Sequence, residues 1–96
     1  MKDEDWLVYL LLCSDNTIYT GITNNLDKRI ATHNKGKGAK YTKARLPVKL
    51  IKFFVTADKS SALKLEYKIK QLSRKEKLEF SLWKFKKNYF KYTGGI

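Results

Sequence analysis

The apolar pattern begins at Leu7-Val8-Tyr9-Leu10-Leu11-Leu12, where hydrophobic side chains fill both alternating faces. Such a run predicts a strand buried on two sides, in contrast to the strict alternation of a strand with one wet face. Ser14-Asp15-Asn16 is a cluster of turn formers. Thr17-Ile18-Tyr19-Thr20-Gly21-Ile22 follows, rich in β-branched and aromatic residues, so the two runs predict a β-hairpin. A register centred on the turn places Tyr9 near Tyr19 across the ladder. Asn24 or Asn25 caps a helix starting near Leu26, with Leu26, Ile30 and His33 at i, i+4 and i+7. That helix is expected to end before Gly36 and Gly38. Residues 35–47 read as a basic loop closed by Pro47, and residues 48–55, which alternate imperfectly, as a third strand. Asp58, Ser60 or Ser61 caps a second helix with apolar Ala62, Leu65, Ile69 and Leu72. Ser73-Arg74-Lys75-Glu76 has capping-box spacing and opens a short helix through about Leu82. The expected fold class is α/β of the α+β type: a three-stranded, mainly antiparallel sheet with flanking helices.

Size and charge narrow the picture. The 96 residues support one modest core, so residues 1–96 are expected to form a single domain. Its core spans about 6–82, and a basic, aromatic tail follows over 83–96. Twenty-one Lys and Arg against nine Asp and Glu give a net charge of +12. A small folded domain so basic is expected to meet an anionic partner. Residues 28–52 hold nine Lys and Arg and no acid. This window makes Lys28, Lys35, Lys37, Lys40, Lys43 and Arg45 candidate phosphate contacts, with Tyr41 among them as a further contact or as a core residue. One Cys and one His exclude an intramolecular disulfide and zinc sites of the usual Cys/His composition. The longest apolar run, residues 7–13, is far short of the roughly 20 residues that span a bilayer. The start is acidic, unlike a secretory signal. A cytoplasmic protein with no membrane partner is expected.

Two further features bear on chemistry. Glu66 lies within the apolar stripe of the second helix, between Ala62 and Ile69. A charge there must be paired, metal-bound or at the edge of the core. Arg29 and His33 stand at i, i+4 and project from neighbouring turns of one helix. A buried histidine with one satisfied hydrogen bond and a surface arginine would account for them as well as a catalytic pair would. Gly36 and Gly38 lack the spacing of a phosphate-binding P-loop, and no nucleophile elbow is present.

The ordered set of motifs resembles the GIY-YIG nuclease superfamily, and most closely its small stand-alone bacterial branch. Tyr9 in Leu7-Val8-Tyr9 takes the place of the first motif's tyrosine, and Tyr19-Thr20-Gly21 is similar to the second motif. Residues 25–34 resemble the helix carrying the family's arginine and, in many members, a histidine: here Arg29 and His33. Gly38-Ala39-Lys40-Tyr41-Thr42 and Arg45-Leu46-Pro47-Val48 are similar to the stand-alone branch. Ala62-Leu63-Lys64-Leu65-Glu66 matches the segment bearing the metal-binding glutamate. The leading Gly of the first motif is Leu7 here, and the Ile of the second is Thr20.

The resemblance implies an endonuclease that hydrolyses phosphodiester bonds in nucleic acid, DNA in preference to RNA, with a single Mg²⁺ or Mn²⁺ ion. It implies catalytic roles for Tyr9, Tyr19, Arg29, His33 and Glu66. Glu66 would hold the ion, Arg29 would meet phosphate oxygens, one of the two tyrosines would orient or deprotonate the attacking water, and His33 would assist. Lys28 and Tyr41 would supply further phosphate contacts. The alternative is a non-catalytic nucleic-acid-binding module on the same scaffold, and a third reading is an interaction module for an acidic protein.

Overall fold

The computed structural model describes residues 5–83 and 91–92. Its elements are β1 (Trp6–Leu12), β2 (Ile18–Thr23), α1 (Leu26–Asn34), α2 (Lys40–Lys43), β3 (Lys49–Thr56), α3 (Lys59–Lys70), α4 (Arg74–Trp83) and β4 (Lys91–Tyr92). The sheet order is β2-β1-β3-β4. β1 pairs antiparallel with both β2 and β3. Its central place explains why it is apolar on both faces: Leu7 to Leu11 are all buried.

The hairpin is centred on Asp15, with Leu12 opposite Ile18 and Tyr9 opposite Gly21. Tyr9 and Tyr19 are therefore diagonal neighbours on one face of the sheet. Asn16 takes φ 72° in the turn, a backbone region that asparagine tolerates. The imperfect alternation of β3 has a definite cause. Between Leu10 and Leu11 the register shifts, so that β3 carries one extra residue there. The side-chain phase flips at this bulge. Leu50 and Val55 consequently pack with Leu7, Tyr9 and Leu11, while Ile51 and Phe54 pack with Val8 and Leu10.

Two apolar clusters result, one on each face. α3 lays Ala62, Leu65 and Ile69 over Val8, Leu10, Ile18 and Phe54. On the other face Leu7, Tyr9, Leu11, Cys13 and Val48 meet Leu26, with Ile30 of α1 packed against them. A fully buried leucine of this kind stabilises by roughly 1.5–3 kcal/mol. The helix starts follow the sequence signals. Asn25 caps α1 by accepting from the Lys28 N–H, and Asp58 caps α3 by accepting from the Ser61 N–H. The capping box at α4 is reciprocal: the Ser73 N–H donates to Glu76 and the Glu76 N–H to the Ser73 hydroxyl.

One expectation needs correction. The basic segment 35–47 is not all loop, because α2 forms within it. Four residues have no apolar period to betray them, and one of them, Thr42, is fully buried. The sheet also has a fourth, two-residue strand, β4, parallel to β3 at Val55 and Thr56. Apart from β4 and Trp83, the expected basic tail lies outside the described residues. No helix among the described residues is long and apolar enough to cross a membrane.

Candidate active site

The face of the sheet that carries Tyr9 and Tyr19 is the one α1 covers, and α1 brings Arg29 and His33 to it. Tyr9 is 1% exposed and His33 0%. Their side chains are joined by a 2.9 Å hydrogen bond between the phenol oxygen and Nε2. The Arg29 Nε–H donates to the same phenol oxygen at 3.4 Å. On its other side the imidazole Nδ1 lies 2.7 Å from the Thr42 hydroxyl, which donates to the Ala39 carbonyl at 3.0 Å. Two glycines make room for this pair. A Cβ at Gly21 would sit 2.6 Å from the Tyr9 hydroxyl, and one at Gly38 would sit 2.3 Å from His33 Nδ1. Burial raises the Tyr9 pKa above its ordinary value, against the pull of the Arg29 hydrogen bond. Burial lowers that of His33, and the Arg29 charge adds to the effect. Both groups are held neutral.

Tyr19 is half-buried beside them, its ring 6.3 Å from Tyr9 and 5.3 Å from His33. Tyr41 stacks on it at 6.1 Å, and the Arg45 guanidinium lies 3.8 Å over the Tyr41 ring. Arg45 is already engaged. Its Nε–H donates to Asp15 at 2.8 Å and one Nη to the Tyr41 carbonyl at 2.9 Å. It serves the protein first as a strut between the hairpin turn and α2. Lys28, Lys35, Lys37, Lys40 and Lys43 are all exposed, as is Tyr41 at 38%. They form the basic rim along α1, the following loop and α2. Among the described residues the Arg29 side chain makes no hydrogen bond other than its Nε–H to Tyr9, and it is only partly buried.

Glu66 comes from a different element. It projects from α3, on the other layer, with its side chain 17% exposed and paired to Lys70 Nζ at 3.3 Å. It hydrogen-bonds none of the four site residues, and its link to them is electrostatic: its charge is among the causes that raise the Tyr9 pKa. The edge placement and lysine pair are one of the three resolutions its position allowed. Among the described residues no three His, Cys, Asp or Glu side chains converge. A lone, partly solvated carboxylate suits a hard, mostly hydrated ion such as Mg²⁺ or Mn²⁺, and does not suit a dedicated protein cage. The donor chemistry fits an ion of that class.

The fold thus gathers Tyr9, Tyr19, Arg29 and His33, with exposed lysines on the same elements, and couples Glu66 to Tyr9 by charge without a hydrogen bond. Sequence reasoning passed over Thr42 and Asp15. Thr42 is a hydroxyl between two lysines, and only its burial against His33, nine residues away, gives it meaning. Asp15 reads as a turn former, and its partner Arg45 is 30 positions off. Thr20, which stands where the second motif has Ile, is 2% exposed, and its hydroxyl is the one buried side-chain polar atom without a partner among the described residues.

Known proteins match this architecture. The GIY-YIG catalytic domain model matches residues 5–79. A UPF0213 protein of Bacillus velezensis is 49% identical over 80 residues, which is 83% of this chain and 81% of that protein. One from Staphylococcus haemolyticus is 54% identical over 72 residues, 75% of this chain and 88% of the relative. The solution NMR structure of a UPF0213 protein from Bacillus halodurans superimposes with a TM-score of 0.55 at 41% identity, covering 83% of this chain and 85% of that one. With its hairpin tyrosines, helical arginine and most of its length matched, the chain belongs to the GIY-YIG family, alongside the small bacterial UPF0213 proteins.

Proposed function

We propose that this protein is a divalent-metal-dependent endonuclease acting on nucleic acid in the cytoplasm, with DNA as its substrate. The observation that carries the reading is the hydrogen-bonded series Arg29–Tyr9–His33, in which Tyr9 and His33 are buried, Arg29 is partly exposed, and the neighbouring lysines are exposed. Phosphodiester hydrolysis needs a proton acceptor for the attacking water and cations for the charge that develops on phosphate. In this reading the lysines and the Nη groups of Arg29 hold the phosphate, for which a planar guanidinium is the better fork. Tyr9 accepts the water proton as its own proton passes to His33 Nε2, and Arg29 steadies negative charge on the phenol oxygen. Both neutral groups resist holding charge at rest, which suits a transfer that occurs only with a phosphate in place. Tyr19, whose hydroxyl has no partner among the described residues, lies open to substrate. Glu66 would hold Mg²⁺ or Mn²⁺, which when bound supplies Lewis-acid polarisation of the phosphate.

The test is incubation of pure protein with plasmid, branched DNA and RNA, with and without Mg²⁺. The expected result is metal-dependent nicking of DNA that falls at least about 100-fold in Arg29→Ala, Tyr9→Phe and Glu66→Ala. The Lys70–Glu66 pair favours a second reading, a nucleic-acid-binding module without turnover. That reading is supported if binding is retained and no substrate is cut at any metal concentration.

A further inference from the structure

The proton positions in the buried series can be deduced from what each partner is able to give. The Tyr9 hydroxyl has two partners among the described residues, Arg29 Nε–H and His33 Nε2. A guanidinium only donates. The phenol proton, in a side chain 1% exposed, therefore has one acceptor, and His33 Nε2 must be unprotonated to serve. The other end gives the same answer independently. The Ala39 carbonyl only accepts, so the single Thr42 hydroxyl proton is directed there at 3.0 Å. The Thr42 oxygen then meets His33 Nδ1, at 2.7 Å, as an acceptor, and Nδ1 must carry the ring's proton. Gly38 backs the Nδ1 edge so closely that even a methyl group would collide, and among the described residues Thr42 is the one hydrogen-bond partner of that nitrogen. Donation runs in one direction throughout: Arg29 to Tyr9, Tyr9 to His33, His33 to Thr42, Thr42 to Ala39.

We infer that Thr42 is a positioning residue whose hydroxyl fixes His33 as the Nδ1–H tautomer and aims its Nε2 lone pair at the Tyr9 phenol. An imidazole with the opposite tautomer would point a proton at a phenol that already accepts one from Arg29. It would strand the phenol's own proton and offer nothing to receive it. The catalytic consequence rests on the proposed function; the tautomer itself does not.

His33 is the sole histidine of the chain, so long-range ¹H–¹⁵N correlation spectra of ¹⁵N-labelled protein report it without ambiguity. Near neutral pH the wild type is expected to show a pyrrole-type Nδ1 and a pyridine-type Nε2. Thr42→Val keeps the shape and removes the acceptor; it is expected to move both nitrogens toward averaged or reversed values, and Thr42→Ser to restore them. A pyridine-type Nδ1 in the wild type overturns the inference, even if the valine variant fails to fold. An unchanged pattern in a folded Thr42→Val protein also overturns it. In the nicking assay Thr42→Val is expected to lose about 10-fold or more, with Thr42→Ser recovering most of it. If the wild type has the expected tautomer but cuts nothing, the nuclease reading fails and the tautomer assignment stands.

Discussion

Replacing Gly38 by alanine tests how tightly the site is built. The added Cβ would lie 2.3 Å from His33 Nδ1, 2.7 Å from Cγ and 2.8 Å from Cε1. An ordinary contact begins near 3.4 Å, so the ring or the loop must retreat by about 1 Å. The ring has nowhere to go. It is fully buried and pinned at both nitrogens, at 2.7 and 2.9 Å. Overpacking costs about 1–3 kcal/mol, and loosening two buried hydrogen bonds adds about 1 kcal/mol each. A total near 3–5 kcal/mol lowers the melting temperature of a domain this size by about 12–40 °C. If the variant is folded at the assay temperature, nicking should fall by about 100-fold, since the displaced imidazole no longer meets Tyr9. Gly36→Ala is the control. Its Cβ meets only Leu46 Cδ1 at 3.8 Å, but φ is +78°, so it should cost about 1–2 kcal/mol by backbone strain alone and spare the site. Differential scanning calorimetry of both variants decides the matter. A Gly38→Ala protein melting within about 4 °C of wild type would refute the reasoning.

Thr20→Val removes the buried, unpartnered hydroxyl at constant shape and should stabilise by about 1 kcal/mol in urea titrations; a loss of stability would reveal a partner for that oxygen. His33 has a pKa below its ordinary 6.5 in the fold, so the unfolded chain takes up the proton first. Stability should therefore be steady above about pH 6.5 and decline as pH drops below it, with urea midpoints equal or higher at pH 5.5 than at 7.5 counting against a neutral buried imidazole. The exposed lysines should act by counterion release. Lys35→Ala with Lys37→Ala should flatten the dependence of log affinity for duplex DNA on log salt by about 1.8, and an unchanged slope would remove them from the interface.

Much of the fold was legible because its signals are local. The turn cluster at 14–16 set the hairpin register, Asn25, Asp58 and the Ser73–Glu76 pair announced helix starts, and the two-sided burial of β1 followed from its uninterrupted apolar run. The broken alternation of residues 48–55 was also a true signal, the trace of the bulge opposite Leu10 and Leu11. α2 escaped because a four-residue helix has no period, and its contacts, through Thr42 to His33 and through Tyr41 to Tyr19 and Arg45, are made only in the packed chain. The tyrosines, Arg29 and His33 could be singled out by motif and spacing. Their hydrogen-bond order could not, because it depends on Thr42 and on two glycine contacts that only the packed chain creates. Glu66 was legible as an anomaly, but the sequence left its partner open among many lysines, and the structure pairs it with Lys70 at i, i+4.

The side chain of Asn34 adds a consequence of its own. Its amide donates to the Val48 carbonyl at 3.1 Å and accepts from the Val48 N–H at 2.8 Å, so one residue at the end of α1 clamps the entrance to β3. Residues 35–47 are thereby fastened at both extremities, while the Ser14 N–H donating to the Arg45 carbonyl at 2.9 Å ties them to the hairpin from outside. A polyanion arriving at the lysines of this stretch meets backbone whose freedom was surrendered during folding. The entropic penalty of docking is reduced accordingly, and a short, mobile basic peptide of the same composition would hold the same ligand less tightly.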